Sequence, residues 1–266
     1  MISSSTDEFD PSFFLENGFQ IIRSVIPRVI TGPIFEFLYN SVENSIESVA
    51  KELRLNDSNS FISHLQSFRN LNFDVLSPKC QHILSGHFPL DIRLSDKLLA
   101  IARCKPLQNI LRKALDSQEL FLHMPPAARF VLPNNSKAGV PVHQDASYNK
   151  HMSNFITCWT PLVETNGTCG GVEVFRGTGS FEEIEVEQKD FWLEGLPKDE
   201  FQTFYENMKP GDILLLNPNV LHASRPNISE RIRISIDFRF FGKDGSSSKH
   251  HLNLDNGELF EPPSDN

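Results

Sequence analysis

The stretch Arg231-Ile232-Arg233-Ile234-Ser235-Ile236-Asp237-Phe238-Arg239-Phe240-Phe241 alternates with a period of two. Arg231, Arg233, Ser235 and Asp237 fall on one face, and Ile232, Ile234, Ile236 and Phe238 on the other, the pattern of a β-strand with one apolar side. Two readings fit it. If the isoleucine face packs against helices, the arginine face points into a barrel, where a guanidinium is costly unless an anion meets it. Otherwise the stretch is an edge strand with a solvated charged face. Upstream, short β-like runs follow one another at 120–124, 129–132, 140–145, 155–162, 172–175 and 213–216, separated by Gly, Pro and Asn clusters. Many short strands without alternating helices predict a mainly β fold with some α: an antiparallel double-stranded β-helix, the jelly roll of cupin-like proteins.

The first part of the chain reads as helical. Residues 12–18 predict a short helix stopped by Asn17-Gly18, and 19–26 a strand. From Gly32 to Leu53, Phe35, Leu38, Val42, Ile46, Val49 and Leu53 recur at spacings of three and four, an amphipathic helix. Residues 95–115 predict another, bent or broken at Pro106. The expected organisation is one domain, 1–266, with helices over about 1–117 covering one outer sheet face, the jelly roll over about 118–241, and a polar, loosely ordered tail at 242–266.

A net charge of −9 argues against nucleic acid or an anionic membrane surface as partner. The 22 Phe against 3 Tyr read as core filling rather than stacking platforms for bases. No stretch has the apolar length of a membrane span, and Met1–Asp10 has neither the basic region nor the apolar run of a secretory signal. Cys80, Cys104, Cys158 and Cys169 show no Cys-x-x-Cys spacing and are expected to be reduced thiols. Together these features lead us to expect a cytoplasmic protein.

The chemistry is concentrated in His143 and Asp145, within Val140-Pro141-Val142-His143-Gln144-Asp145, and in His222, just past the apolar run that opens with Gly211-Asp212. His-x-Asp alone is a weak signal. In a strand, however, residues i and i+2 point to the same side, so His143 and Asp145 converge while Gln144 turns away. Two imidazoles and a carboxylate on one face of a metal, with the opposite face open, is the ligand set of non-haem Fe(II) oxygenases. An inward arginine from the alternating strand would suit a dicarboxylate cosubstrate.

Val142-His143-Gln144-Asp145, Cys158-Trp159-Thr160-Pro161-Leu162, Gly170-Gly171-Val172-Glu173-Val174-Phe175-Arg176-Gly177-Thr178-Gly179, Gly211-Asp212-Ile213 and His222-Ala223-Ser224-Arg225-Pro226-Asn227, in this order, resemble the phytanoyl-CoA dioxygenase family of Fe(II)/2-oxoglutarate-dependent oxygenases. The resemblance covers roughly 120–241. It implies that His143, Asp145 and His222 ligate iron, and that Arg233, eleven residues after the distal histidine, holds the C5 carboxylate of 2-oxoglutarate with Ser235 in support. Thr157 becomes a candidate for hydrogen bonding the cosubstrate, and Arg129 a candidate contact to cosubstrate or substrate. O₂ would be the second cosubstrate, and hydroxylation of an unactivated C–H bond would accompany release of succinate and CO₂. Halogenating enzymes similar to this family carry Gly or Ala in place of the carboxylate, so Asp145 argues for hydroxylation. The chain departs from the family's pattern at Arg176-Gly177-Thr178-Gly179, where the usual proline and histidine are absent.

Candidate substrate contacts are Gln144, Tyr148, Asn149, Lys150, Trp159, Arg176 and Arg225, a polar and basic set suited to a small polar metabolite. His82 and His87 flank Ser85-Gly86 with no carboxylate at ligand spacing and are set aside, and His250-His251 are read as part of a solvated tail. Two alternatives stand beside hydroxylation: a non-catalytic cupin-like protein that binds metal or a small ligand, and desaturation or ring closure at the same site.

Overall fold

In the computed structural model, which describes residues 5–54, 68, 76–180, 182–184, 188–189, 192–193 and 198–262, the alternating stretch opens a 15-residue strand, β12 (Arg233–Ser247). It lies inside the main sheet. β5 (Met152–Pro161) pairs along one side, and β4 (Ala127–Val131) and β3 (Phe121–His123) along the other, all antiparallel. This excludes the edge-strand reading. The sheet continues beyond β5 through β10 (Ile213–Leu216), β2 (Phe19–Ile22) and β1 (Ser5–Thr6), and beyond β3 through β13 (His251–Asn253) and β14 (Leu259–Phe260).

The two faces of β12 do different work. Ile234, Ile236, Phe238 and Phe240 are fully buried in one apolar cluster with residues of the N-terminal helices. Those partners are Leu38, Val42 and Ile46 of α2 (Arg28–Glu52), Leu84 of α3 (Pro78–Leu84), Leu98 and Ile101 of α5 (Asp96–Ala102), and Leu107 and Leu111 of α6 (Lys105–Ala114). A four-residue helix, α4 (Leu90–Arg93), lies between α3 and α5. The spacing read from the sequence thus gives α2 its buried stripe. The break between α5 and α6 falls just before Pro106, which sits in the first turn of α6 where its missing N–H costs no hydrogen bond. Part of the helical region, 55–67 and 69–75, lies outside the described residues.

A smaller sheet, β11 (His222–Ser224), β6 (Val172–Phe175) and β9 (Thr203–Phe204), faces the other side. Val174 and Phe204 from it pack with Phe19, Trp159, Leu214 and Leu216 of the main sheet. The two sheets form the expected jelly roll. A short hairpin, β7 (Gln188–Lys189) with β8 (Trp192–Leu193), stands apart from both. The helix at the start, α1 (Pro11–Asn17), ends as its sequence predicts and is capped at both ends. Asp10 accepts from the N–H groups of Ser12 and Phe13, and Gly18 closes the helix at φ 74°.

Two expectations are corrected. Residues 140–145 are not a strand: His143 makes one isolated bridge, and Asp145 begins a short helix, α7 (Asp145–Tyr148). As far as residue 262, the tail is not loosely ordered. After a register shift following Phe241, β12 pairs again with β5 at Ser246 and Ser247, and β13 and β14 extend the sheet. A few aromatic contacts hold it despite its polar composition: Phe121 stacks on Phe241 at 5.2 Å, and His251 on Phe260 at 4.9 Å.

Candidate metal centre

His143 and His222 face each other across their isolated bridge, each backbone N–H donating to the other's carbonyl at 3.0 Å. Each ring donates Nδ1–H to the carbonyl two residues upstream, His143 to Pro141 at 2.8 Å and His222 to Val220 at 2.9 Å. That tautomer leaves both Nε2 lone pairs free, the arrangement a metal-binding imidazole requires. Both point at Asp145: His143 Nε2 lies 3.9 Å from Oδ1 and His222 Nε2 3.9 Å from Oδ2. All three side chains are buried, and their donor atoms fall within 4.8 Å of one another.

Asp145 is brought in by the turn into α7. Gln144 is extended, φ −106° and ψ 139°, so the alternation that sends it away from the metal side holds locally even without a strand. The Gln144 side chain is fully buried and clamps the turn. It donates to the carbonyls of Asn219 (2.6 Å) and Glu182 (3.2 Å), and its Oε1 accepts from Ile184 N–H. Both Asp145 oxygens are engaged: Arg239 donates to Oδ1 at 3.1 Å and Thr157 to Oδ2 at 2.5 Å. Burial works against the Asp145 charge, but Arg239, the two imidazoles and Thr157 outweigh it and hold the carboxyl below its ordinary range. Burial, reinforced by the neighbouring His222, pushes His143 down to about 3, which keeps it neutral as a ligand must be.

The donor set fits Fe(II), with nitrogen and carboxylate oxygen on one side and space on the other. That space is a cavity of about 320 Å³. The inward face of β12 lines it with Arg233, Ser235, Asp237 and Arg239; β4 adds Arg129, β5 Trp159, α7 Tyr148, and β6 and β11 supply Val172 and Ala223. Arg233 is 4% exposed. Its Nη1 donates to the carbonyls of Arg225 (2.9 Å) and Gly171 (3.4 Å), while its buried Nε has no partner. A buried guanidinium left with free donors is an anion site. Burial lowers Arg233 to about 10, and it remains a cation at neutral pH. Gly170, at φ 68°, permits this cradle, since a side chain there would come within 2.5 Å of the Pro226 carbonyl.

Several expected contacts fall elsewhere. The Thr157 hydroxyl is committed to Asp145. Gln144 is a structural clamp, and Asn149 donates to the Asp145 carbonyl. Lys150 is exposed and pairs with Glu183 at 3.4 Å. Arg225 lies over the Tyr205 ring beside Glu173, and Arg176 over Phe204, so both side chains point away from the cavity. Arg231 is exposed and donates to the Glu164 carbonyl, outside the inward face. Tyr148 and Trp159 do line the cavity.

Sequence reasoning gave no role in the site to three charged or titratable lining groups. Arg239 and Asp237 continue the alternation from Arg233, so the pattern contained them. His87, set aside for want of a carboxylate at ligand spacing, enters through a backbone bridge to Arg129 that leaves no local mark in the sequence. Burial, with Arg129 and Arg93 nearby, lowers His87 to about 4. Burial raises Asp237 to about 6 although Arg239 opposes it.

The departure at Arg176–Gly179 has a physical reason. The Thr178 hydroxyl donates to the Phe175 carbonyl and accepts from Leu221 N–H, fixing the chain just before His222. Gly179 lies against the end of α1, where any Cβ would come within 2.5 Å of the Asn17 carbonyl oxygen.

All four cysteines are buried as free thiols. No helix among the described residues is long and apolar enough to cross a membrane.

Comparison with known proteins agrees with this geometry. The sequence profile of phytanoyl-CoA dioxygenase (PhyH) matches residues 54–235. Two proteins described as 1-deoxypentalenic acid 11-beta-hydroxylase, from Streptomyces exfoliatus and Streptomyces arenae, are 36% and 34% identical over 112 residues. That segment is 37% of this chain and 40% of each relative's length. Among solved structures, the epimerase SnoN in complex with Fe³⁺, alpha ketoglutarate and nogalamycin RO superimposes with a TM-score of 0.59 at 13% identity, over 89% of this chain and 84% of that one. The non-heme monooxygenase ThoJ superimposes with 0.59 at 14%, over 96% and 90%. The carbocyclase SnoK gives 0.56 at 12%, over 89% and 84%. These three share the fold.

Proposed function

This chain belongs to the phytanoyl-CoA dioxygenase family, and from that premise we propose that it is an Fe(II)- and 2-oxoglutarate-dependent dioxygenase that hydroxylates a C–H bond of a small-molecule substrate. The observation that carries this reading is the convergence of His143, Asp145 and His222, buried and correctly hydrogen-bonded for metal binding, on a cavity that also holds Arg233. When bound, iron with 2-oxoglutarate and O₂ supplies the oxidising power, and the protein supplies position, exclusion of water and charge. His143, Asp145 and His222 would hold the metal by one face. Arg233, with its free Nε and the adjacent Ser235 hydroxyl, would hold the C5 carboxylate of 2-oxoglutarate and so orient its other end toward the metal. Tyr148 and Trp159 would wall the substrate space.

Hydroxylation is favoured over desaturation or ring closure by the two relatives described as hydroxylases. The epimerase and the carbocyclase among the structural neighbours show that this fold also serves other outcomes.

The test is an anaerobic optical titration of the metal-free protein with Fe(II) and then 2-oxoglutarate. A weak visible charge-transfer band should appear only with both, vanish in His143→Ala, and require far more 2-oxoglutarate in Arg233→Ala. No band in the wild type, or an Arg233→Ala curve matching wild type, would overturn the assignment.

A further inference from the structure

Resting on the function proposed above, the charges in the cavity identify a class of substrate. Three guanidinium groups, Arg129, Arg233 and Arg239, face two carboxylates, Asp145 and Asp237. Fe(II) and the 2-oxoglutarate dianion carry equal and opposite charges, so loading the site leaves an excess of one positive charge. An enclosed charge without a counter-ion is costly.

The excess can be located. Arg239 is paired with Asp145 at 3.1 Å and is also the cation that acts most strongly on Asp237, more strongly than Arg129 does. Arg233 is held by main-chain carbonyls beside Ser235, where the cosubstrate would take it. Arg129 is left over. Its Nε is shielded from solvent and has no hydrogen-bond partner. Its Nη2 reaches only the carbonyl oxygens of Ser85 and Ala138, both at 3.4 Å, the outer limit of a hydrogen bond. Among the described residues no carboxylate forms an ion pair with it. Arg129 stands opposite Ser235 across the β4–β12 pairing and bridges His87, so it opens on the same cavity as the metal ligands.

We propose that the substrate is a small carboxylic acid bound as its monoanion, its carboxylate taken by Arg129 beside His87, which makes Arg129 a specificity-determining residue. A monoanion cancels the single excess charge, whereas a phosphate monoester dianion would overshoot it. The planar fork of a guanidinium matches both oxygens of a carboxylate. The cavity of about 320 Å³ must also hold the cosubstrate, which keeps the acid small, and Val140, Trp159, Val172 and Ala223 offer its carbon skeleton apolar surface.

The experiment uses the full chain loaded anaerobically with Fe(II) and 2-oxoglutarate, as wild type, Arg129→Gln and Arg129→Lys. Calorimetric titrations employ three acid–amide pairs: acetate with acetamide, hexanoate with hexanamide, and cyclohexanecarboxylate with its amide. In the wild type at least one acid should bind roughly tenfold or more tightly than its amide. Arg129→Gln should abolish that preference while leaving 2-oxoglutarate affinity unchanged, and Arg129→Lys should restore part of it. Absence of an acid preference in all three wild-type pairs overturns the proposal, whether or not the variants fold. An Arg129→Gln variant that loses 2-oxoglutarate affinity overturns it too, because Arg129 would then belong to the cosubstrate's clamp. A wild type that takes up no 2-oxoglutarate removes the function proposed above, and this inference with it.

Discussion

Both oxygens of Asp145 are already hydrogen-bonded, one by the Arg239 guanidinium and the other by the Thr157 hydroxyl. Such partners fix the direction of a carboxylate before any metal arrives, and losing one typically weakens metal binding 10- to 100-fold. Thr157→Val keeps the shape of the side chain and removes only the hydroxyl. We expect Fe(II) affinity, measured against a competing chelator, to drop by about tenfold while the protein stays folded. An unchanged affinity would mean that Arg239 alone orients Asp145. At this scale the convergence of His143, Asp145 and His222 was legible in the sequence, because metal chemistry restricts which residue types could serve together. Thr157 as a partner of Asp145 was not. It lies twelve residues downstream on another element, and nothing in its own neighbourhood encodes the contact.

A single strand, β12, carries the helical core on one face and most of the charged wall of the cavity on the other. Its substitutions should therefore separate by parity. Ile236→Ala, at a fully buried position, should cost about 2–5 kcal/mol of stability, read as a shift in the denaturant midpoint. In the fraction that remains folded, 2-oxoglutarate affinity should be near wild type. Ser235→Ala, one residue earlier, should do the reverse: little change in midpoint, and a loss of cosubstrate affinity. Equal effects on both readouts would contradict the division of faces. Gly179→Ala tests the contact between α1 and the loop after β6. With the Asn17 carbonyl 2.5 Å from the added carbon, it should destabilise by about 1–3 kcal/mol. β12 and α2 were readable because long alternating or 3.6-periodic runs meet one large apolar surface. Residues 140–145 misled because their extended backbone is stabilised by the Gln144 clamp rather than by a ladder. The segment after Gly242 misled because a handful of well-placed aromatics, not its average composition, anchors it.

Across the whole molecule, burying titratable groups makes stability depend on pH, and the sign can be worked out from opposing members. In the folded protein burial lowers His87 to about 4 and His123 and His143 to about 3, so the native state refuses protons that the unfolded chain accepts near 6.5. Between pH 6.5 and 4 the unfolded state binds more protons at these three sites, and stability falls as pH falls. Asp237 runs the other way. Raised to about 6, it takes up a proton in the folded state well before the unfolded chain does near 3.9, so acidification from 6 to 4 stabilises through this group. Asp145, held below the ordinary range, contributes stability that is lost only at still lower pH. Burial lowers His151 as well, and four histidines against one aspartate leave a net loss on acidification, each uncompensated proton contributing about 1.4 kcal/mol per pH unit. With metal removed by chelator, the denaturant midpoint should therefore fall steadily from pH 7 to pH 5. Asp237→Asn deletes the one opposing contribution, so its midpoint should fall more steeply than that of wild type between pH 6 and 4. A flat wild-type profile would mean that these histidines are not buried as neutral groups. A variant profile parallel to wild type would mean that Asp237 stays ionised in the cavity, held by Arg239 and Arg129 more firmly than its burial opposes.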